Sequence, residues 1–241
     1  MKNSSVLTAA VVAVGFALAG WFVGHGFVRA RTVERFVTVK GVSERDVEAD
    51  VAFWPLQFVS TDDDLGRAQA KIERSRSAII AFLKKHGIDS LRTELQRLEV
   101  TDVLANPYRS GTTTSRFIIS QTLMVRSDNP KIIQAASQKV GELVDAGVVL
   151  TTSGGFQGGP TFLFTRLNDL KPQMIAEATA NARKAAEQFA LDSRSHLGGI
   201  RRANQGVFEI LPRDRAPGIM ADNQVSKTVR VVATVDYYLK N

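Results

Sequence analysis

TDDDLGRAQAKIERSRSAIIAFLKKHG, residues Thr61 to Gly87, is the stretch from which the fold can be read. Three acids open it, where a helix N-terminus carries partial positive charge and Asp is a preferred cap. Leu65, Ala68, Ile72, Ser75, Ile79 and Phe82 follow at spacings of three and four, which places them on one stripe of a helix. Lys84, Lys85 and His86 suit the negative end of that dipole, and Gly87 is the expected C-terminal stop. A helix apolar along one line and charged elsewhere needs an apolar sheet face to lie on.

The flanking segments supply strands. Phe36 to Gly41 (FVTVKG) is a short β-branched run. Val47, Ala49, Val51 and Phe53 then alternate with other residues, and the phase changes at Pro55 before Leu56 and Phe58, which reads as a bulged or edge strand. Beyond the helix, strands are expected within Glu94–Leu104 and Phe117–Arg126, around a loop at Asn106–Gly111. Pro130 opens a second helix, Lys131 to Ala146, with Ile132, Ile133, Ala136, Val140 and Leu143 inward. Val148–Thr152 and Thr161–Thr165 flank the glycine-rich Ser153–Pro160 as a hairpin. A third helix runs from about Asn168 to Leu197 with Met174, Ala178, Ala185 and Phe189 on one side, ended by Gly198-Gly199. Val207–Leu211 and Val225–Leu239 complete the chain around a loop at Pro212–Gly218. In the last strand Val229, Val231, Ala233, Val235, Tyr237 and Leu239 alternate with more polar partners, apart from Val232, giving a half-buried strand. The order ββ-α-ββ-α-ββ-α-ββ belongs to the α+β class, with antiparallel sheets and long helices packed on one face.

Ahead of this lies an apolar segment, Val6 to Val28, with no formal charge between Lys2 and Arg29. As a helix it would reach about 34 Å, enough for a hydrocarbon core of ~30 Å. It is read as one N-terminal transmembrane helix, an uncleaved anchor in preference to a signal segment cut after Ala17-Leu18-Ala19. The organisation is therefore residues 1–34 as anchor and basic flank, and residues 35–241 as one α+β domain. Lys2 before the segment and Arg29, Arg31 and Arg35 after it lean slightly towards a cytoplasmic domain. The net charge of +7 is spread along the chain and suits a solvated surface or contact with anionic lipid or cell-wall polymer. With no cysteine, disulfide frameworks and thiolate chemistry are excluded.

No catalytic constellation stands out, and no catalytic, cofactor-binding or metal-ligating residue is assigned. His25 lies in the apolar segment, whereas His86 and His196 are expected at helix C-termini, where the dipole favours a charged ring. Asp192-Ser193-Arg194-Ser195-His196 has the residue types of a hydrolytic triad, but so close on one helix they cannot form a nucleophile–base–orienter line. Gly154–Gly159 lacks the following Lys-Ser/Thr of a phosphate loop. Asp62, Asp63 and Asp64 are explained by capping. Arg201-Arg202 and Arg213/Arg215 lack interleaved aromatics, so no nucleic-acid partner is expected.

FVTVKG at Phe36–Gly41, the helix ending Leu83-Lys84-Lys85-His86-Gly87-Ile88, Arg92-Thr93-Glu94-Leu95, the alanine-rich Ala176–Ala186 and Leu197-Gly198-Gly199-Ile200 follow one another as in SIMPL-domain proteins, which this chain resembles. The similarity covers about Arg35 to the C-terminus. It departs at Glu48-Ala49-Asp50-Val51 and in the longer Ser153–Pro160 segment. The resemblance implies a bacterial protein with no established enzymatic activity, read as non-enzymatic, homo-oligomeric and linked to envelope or oxidative stress tolerance. It also implies a place at the inner membrane with the domain in the periplasm, or a secreted periplasmic form if the segment is cleaved. The alternatives are an envelope hydrolase or ligand-modifying enzyme, and a module binding anionic lipid or cell-wall polymer.

Overall fold

The computed structural model describes residues 13–26, 35–89, 92–105, 115–151 and 159–240. In chain order these hold helix α1 (residues 13–26), β1 (Phe36–Glu48), β2 (Val51–Asp62), α2 (Leu65–Lys85), β3 (Thr93–Asp102), β4 (Phe117–Ser127), α3 (Pro130–Ser137), α4 (Gly141–Asp145), β5 (Val149–Leu150), β6 (Thr161–Leu163), α5 (Leu167–Asp192), β7 (His196–Gln205), β8 (Glu209–Pro212) and β9 (Ser226–Lys240). The α+β architecture stands. One sheet has the order β1-β9-β7 with β8 also on β9, and the other has β3-β4-β2-β5 with β6 also on β2.

The chain divides into two compact units, one of residues 1–41, 180–204 and 234–241, the other of residues 42–179 and 205–233. The larger unit is organised by β2. It pairs antiparallel with β4 from Ala52↔Ser127 to Asp62↔Phe117 without a register shift. Alternate residues of a strand face opposite ways, so Ala52, Trp54, Leu56 and Phe58 share a face with Ile119, Leu123 and Val125. All are buried in one cluster with Ala68, Ile72, Ile79, Phe82 and Leu83 of α2. The helix ends match their sequence: Asp64 accepts the Arg67 N–H at 2.9 Å, Ile88 N–H returns to the Leu83 carbonyl, and Gly87 adopts φ +74°.

Several details differ from expectation. The inward residues of β2 are Ala52 and Trp54, with no phase change at Pro55, which pairs with Met124 in regular register. Pro55 shares backbone direction with Gln57, whose carbonyl accepts from Thr151 on the far edge. Its missing N–H therefore falls in the stretch of that edge which neither β5 nor β6 pairs, where no ladder bond is lost. β5 and β6 do not form a hairpin. Both pair antiparallel with β2, β5 at Phe58–Val59 and β6 at Val51–Phe53, so they run the same way along one edge. Residues 152–158, the expected loop, lie outside the described residues. The second helix is split into α3 and α4 by a turn at Gln138–Val140.

α5 presents Met174, Ala178, Ala182, Ala186 and Ala190 in an unbroken i+4 ridge. Ala185 and Phe189, expected inward, are exposed, because the four-residue row keeps its phase where the expected stripe takes a seven-residue step. In the larger unit Met174 and Ala178 pack with Val229, Val231 and Ala233. In the smaller unit Ala182 and Ala186 pack with Val37, Val235 and Tyr237. The helix stops at Asp192, where Arg194 takes φ +52° and Ser195 N–H reaches the Ala190 carbonyl. His196 thus begins β7 and caps no helix, and Gly198-Gly199 lie inside a strand. A side chain at Gly198 would meet Tyr238 at 3.0 Å, so glycine marks close strand contact here.

The expected transmembrane helix is corrected. The described part of α1, residues 13–26, gives about 21 Å of helix, against the roughly 20 apolar residues that a hydrocarbon core requires. Among the described residues no helix is long and apolar enough to cross a membrane. That overturns the single-pass inner-membrane placement built on Val6–Val28. Residues 6–12, 27 and 28 of that segment lie outside the described residues.

Because Ala186 is fully buried against Val235 and Tyr237, Ala186→Leu is expected to lower stability by about 1–3 kcal/mol through overpacking, read from denaturant unfolding. Ala185→Leu, one position away on the exposed side, is expected to change it by less than about 0.5 kcal/mol.

Candidate functional site: a bare sheet edge

Among the described residues β3 pairs only with β4 and forms one end of its sheet. Its register matches Leu95 with Leu123, Leu98 with Gln121 and Val100 with Ile119, so these three apolar side chains belong to the face on which α2 packs. Their neighbours on β4 are 3%, 2% and 0% exposed, whereas Leu95, Leu98 and Val100 are 42%, 52% and 49% exposed. Strands lie about 4.8 Å apart and a helix is about 10 Å wide, so α2 covers β2 and β4 and stops short of β3. The core face continues one strand beyond its cover. On the other face β3 carries Glu94, Arg97, Glu99 and Thr101, with Arg97 and Glu99 3.5 Å apart.

A bulge between Leu95 and Arg97 leaves Gln96 as the extra residue. It is legible in the sequence as the odd spacing Leu95–Leu98–Val100, three then two, which a regular strand cannot place on one face. The exposure of the row was not legible, since it depends on how far α2 reaches.

Ion pairs pin both ends of β3. Near its start, Arg92 donates to Asp128. At its end, the Arg116 guanidinium holds both oxygens of Asp102, at 2.8–3.2 Å. Each arginine holds its carboxylate below the ordinary range, hydrogen bonding being the main cause. Asp62 is likewise held well below that range by Lys71, the Asp64 N–H and Arg67.

The flanks of α2 differ. Lys71, Arg74 and Ser75 line a cleft of about 470 Å³ with Val59, Gly147 and Val149, on the β5 side. At 100° per residue, Arg76 and Ile80 therefore fall on the opposite flank, towards β4 and β3. Arg76 Nε and Gln121 Oε1 are both buried without a hydrogen-bond partner. The margin of the bare row thus holds an unused donor and an unused acceptor, a cost of about 1–3 kcal/mol for each such group.

The other residues singled out in the sequence lie elsewhere. His86 caps α2, with its ring 4.5 Å from Phe82 and Nε2 3.2 Å from Glu142, which Lys85 and His86 hold below the usual carboxylate range. His25 stacks on Trp21 at 5.3 Å. Ser193 and Ser195 spend their hydroxyls on the carbonyls of Ala190 and Ser193, and Asp192 accepts from Gln188, so the triad residue types close a helix end. Asp63 accepts the Arg116 N–H. Arg201 lies 4.2 Å over the Phe36 ring, and Arg213 and Arg215 border an open cleft with Glu44, Asp46 and Thr228. Among the described residues no three His, Cys, Asp or Glu side chains could hold a metal ion. The sequence reading missed Lys227, 1% exposed in β9, which donates to the Ala221 carbonyl and whose pKa burial lowers.

A family model, SIMPL, described as a protein of unknown function (DUF541), matches residues 37–237. A search of curated proteins returned no match.

The carboxylates of Asp62, Asp102, Asp128 and Glu142 have lower pKa values folded than unfolded. Their contribution is therefore complete above the unfolded value near 4 and lost as pH falls through the folded values. The melting temperature is expected to be flat from about pH 5 to 7 and to fall below about pH 4, with Asp102→Asn showing a shallower acid limb.

Proposed function

The chain belongs to the SIMPL family, and on that premise we propose that it is a non-enzymatic protein that works by associating with copies of itself, in support of stress tolerance. The observation that carries this reading is the β3 row: Leu95, Leu98 and Val100 lie on a core face, about half exposed, at a strand edge without a neighbour among the described residues. Apolar area left open in this way gains roughly 25 cal/mol per Å² when another surface covers it. An unpaired strand edge is also a template for a further chain. The absence of enzymatic activity is supported by how the candidate groups are engaged, with the serine hydroxyls and His86 spent on helix ends and on Glu142. The link to stress tolerance rests on the family resemblance.

Sedimentation velocity of the full chain tests the association. The wild type is expected to form a defined oligomer at micromolar concentration. Leu98→Asp, which places a charge in the middle of the row, is expected to raise its dissociation constant at least about tenfold with unchanged circular dichroism. A wild-type chain that stays monomeric overturns the reading. A strain lacking the chain is expected to be more sensitive to peroxide, and Leu98→Asp to fail where the wild type restores growth. Equal rescue by both removes association from the role.

A further inference from the structure

Resting on the reading that copies associate through β3, we propose that two copies join their β3 strands antiparallel about a two-fold axis at Leu98, with Arg97 of each facing Glu99 of the other. Beyond Gln96 the strand is regular from Arg97 to Asp102, so this run offers an ordered edge. Leu98 and Val100 point to the α2 face, and Arg97, Glu99 and Thr101 to the other.

Directly opposed residues of an antiparallel pair share a face. Two copies that continue one sheet, with apolar row beside apolar row, must therefore centre on a residue of the run, and charge separates the choices. Centring on Arg97 sets arginine against arginine, and centring on Glu99 sets glutamate against glutamate. Centring on Val100 or Thr101 sets Leu98 or Val100 against Asp102, a carboxylate already engaged by Arg116, and centring on Asp102 sets that carboxylate against itself. Centring on Leu98 sets leucine against leucine and forms two Arg97–Glu99 pairs at once. Within one copy the two side chains pair with each other at 3.5 Å, and at 65% and 56% exposure they have room to turn outward to the second copy instead. An axis perpendicular to the sheet keeps both α2 helices on one side, so the two half-exposed rows lie next to each other and shield one another. The surface is isologous and closes at two copies.

The test uses the full chain and three variants: Arg97→Glu, Glu99→Arg and the double swap Arg97→Glu/Glu99→Arg. Each single reversal turns two attractive cross-strand pairs into two repulsive ones and is expected to raise the dimer dissociation constant about tenfold or more. The double swap restores both pairs and is expected to return to within about threefold of wild type. An equimolar mixture of the two single variants is also expected to associate, because the paired acids of one chain then face the paired arginines of the other. Both changes lie on exposed positions, and circular dichroism confirms the fold of each variant. If the single variants associate like wild type while Leu98→Asp does not, the edge is used in another register and this inference falls while the self-association reading stands. Weakened single variants that neither the double swap nor the mixture restores also overturn it. A monomeric wild type overturns both.

Discussion

The ladder between β2 and β4, in register from Ala52↔Ser127 to Asp62↔Phe117, is the constraint on which the larger unit depends. A two-residue period without interruption leaves no freedom about which side chains face α2. Ala52, Trp54, Leu56 and Phe58 must, and so must their partners on β4. Because β3 pairs with β4 in turn, the same parity passes outward and commits Leu95, Leu98 and Val100 to the apolar face. The one long helix on that face does not reach them. The bare row is therefore a consequence of sheet width and helix number, and self-association is one way of covering it.

How legible this was in the sequence depends on what each residue was responding to. α2 was readable because its cap, stripe and terminal glycine are local signals: the cap and the glycine appear as expected, and of the stripe Ala68, Ile72, Ile79 and Phe82 are buried while Leu65, in the first turn, is exposed. β9 was readable because alternation over Val229 to Leu239, broken at Val232, favours one strand phase. β2 was misphased because Val51 and Phe53 are as apolar as Ala52 and Trp54, so composition could not choose the face and the β4 register did. β7 was missed because its glycines read as a helix stop; their strand role comes from the backbone of β9 close by, visible only in three dimensions. The β5/β6 hairpin failed for a similar reason, since both segments found partners on β2 and not on each other. The candidate site had a local trace in the odd spacing along β3, but its exposure depends on where a distant helix ends.

The two ends of the chain's chemistry were treated unevenly by the sequence. Carboxylate–arginine pairs at Asp102–Arg116 and Asp128–Arg92 hold β3 in place, yet neither pair has a local signature, because 14 and 36 residues separate the partners. Conversely, the apolar Val6–Val28 segment looked decisive, yet among the described residues, which include only 13–26 of it, no helix is long and apolar enough to cross a membrane.

Hydrogen–deuterium exchange as a function of protein concentration tests the central claim most directly, because it reads the β3 edge itself. On dilution of the full chain, amides within Thr93–Asp102 are expected to exchange faster, while those of Val51–Asp62 and Phe117–Ser127, held by the internal ladder, keep their rates. Exchange in Thr93–Asp102 that is the same at every concentration would contradict the claim that this edge is covered by a second copy.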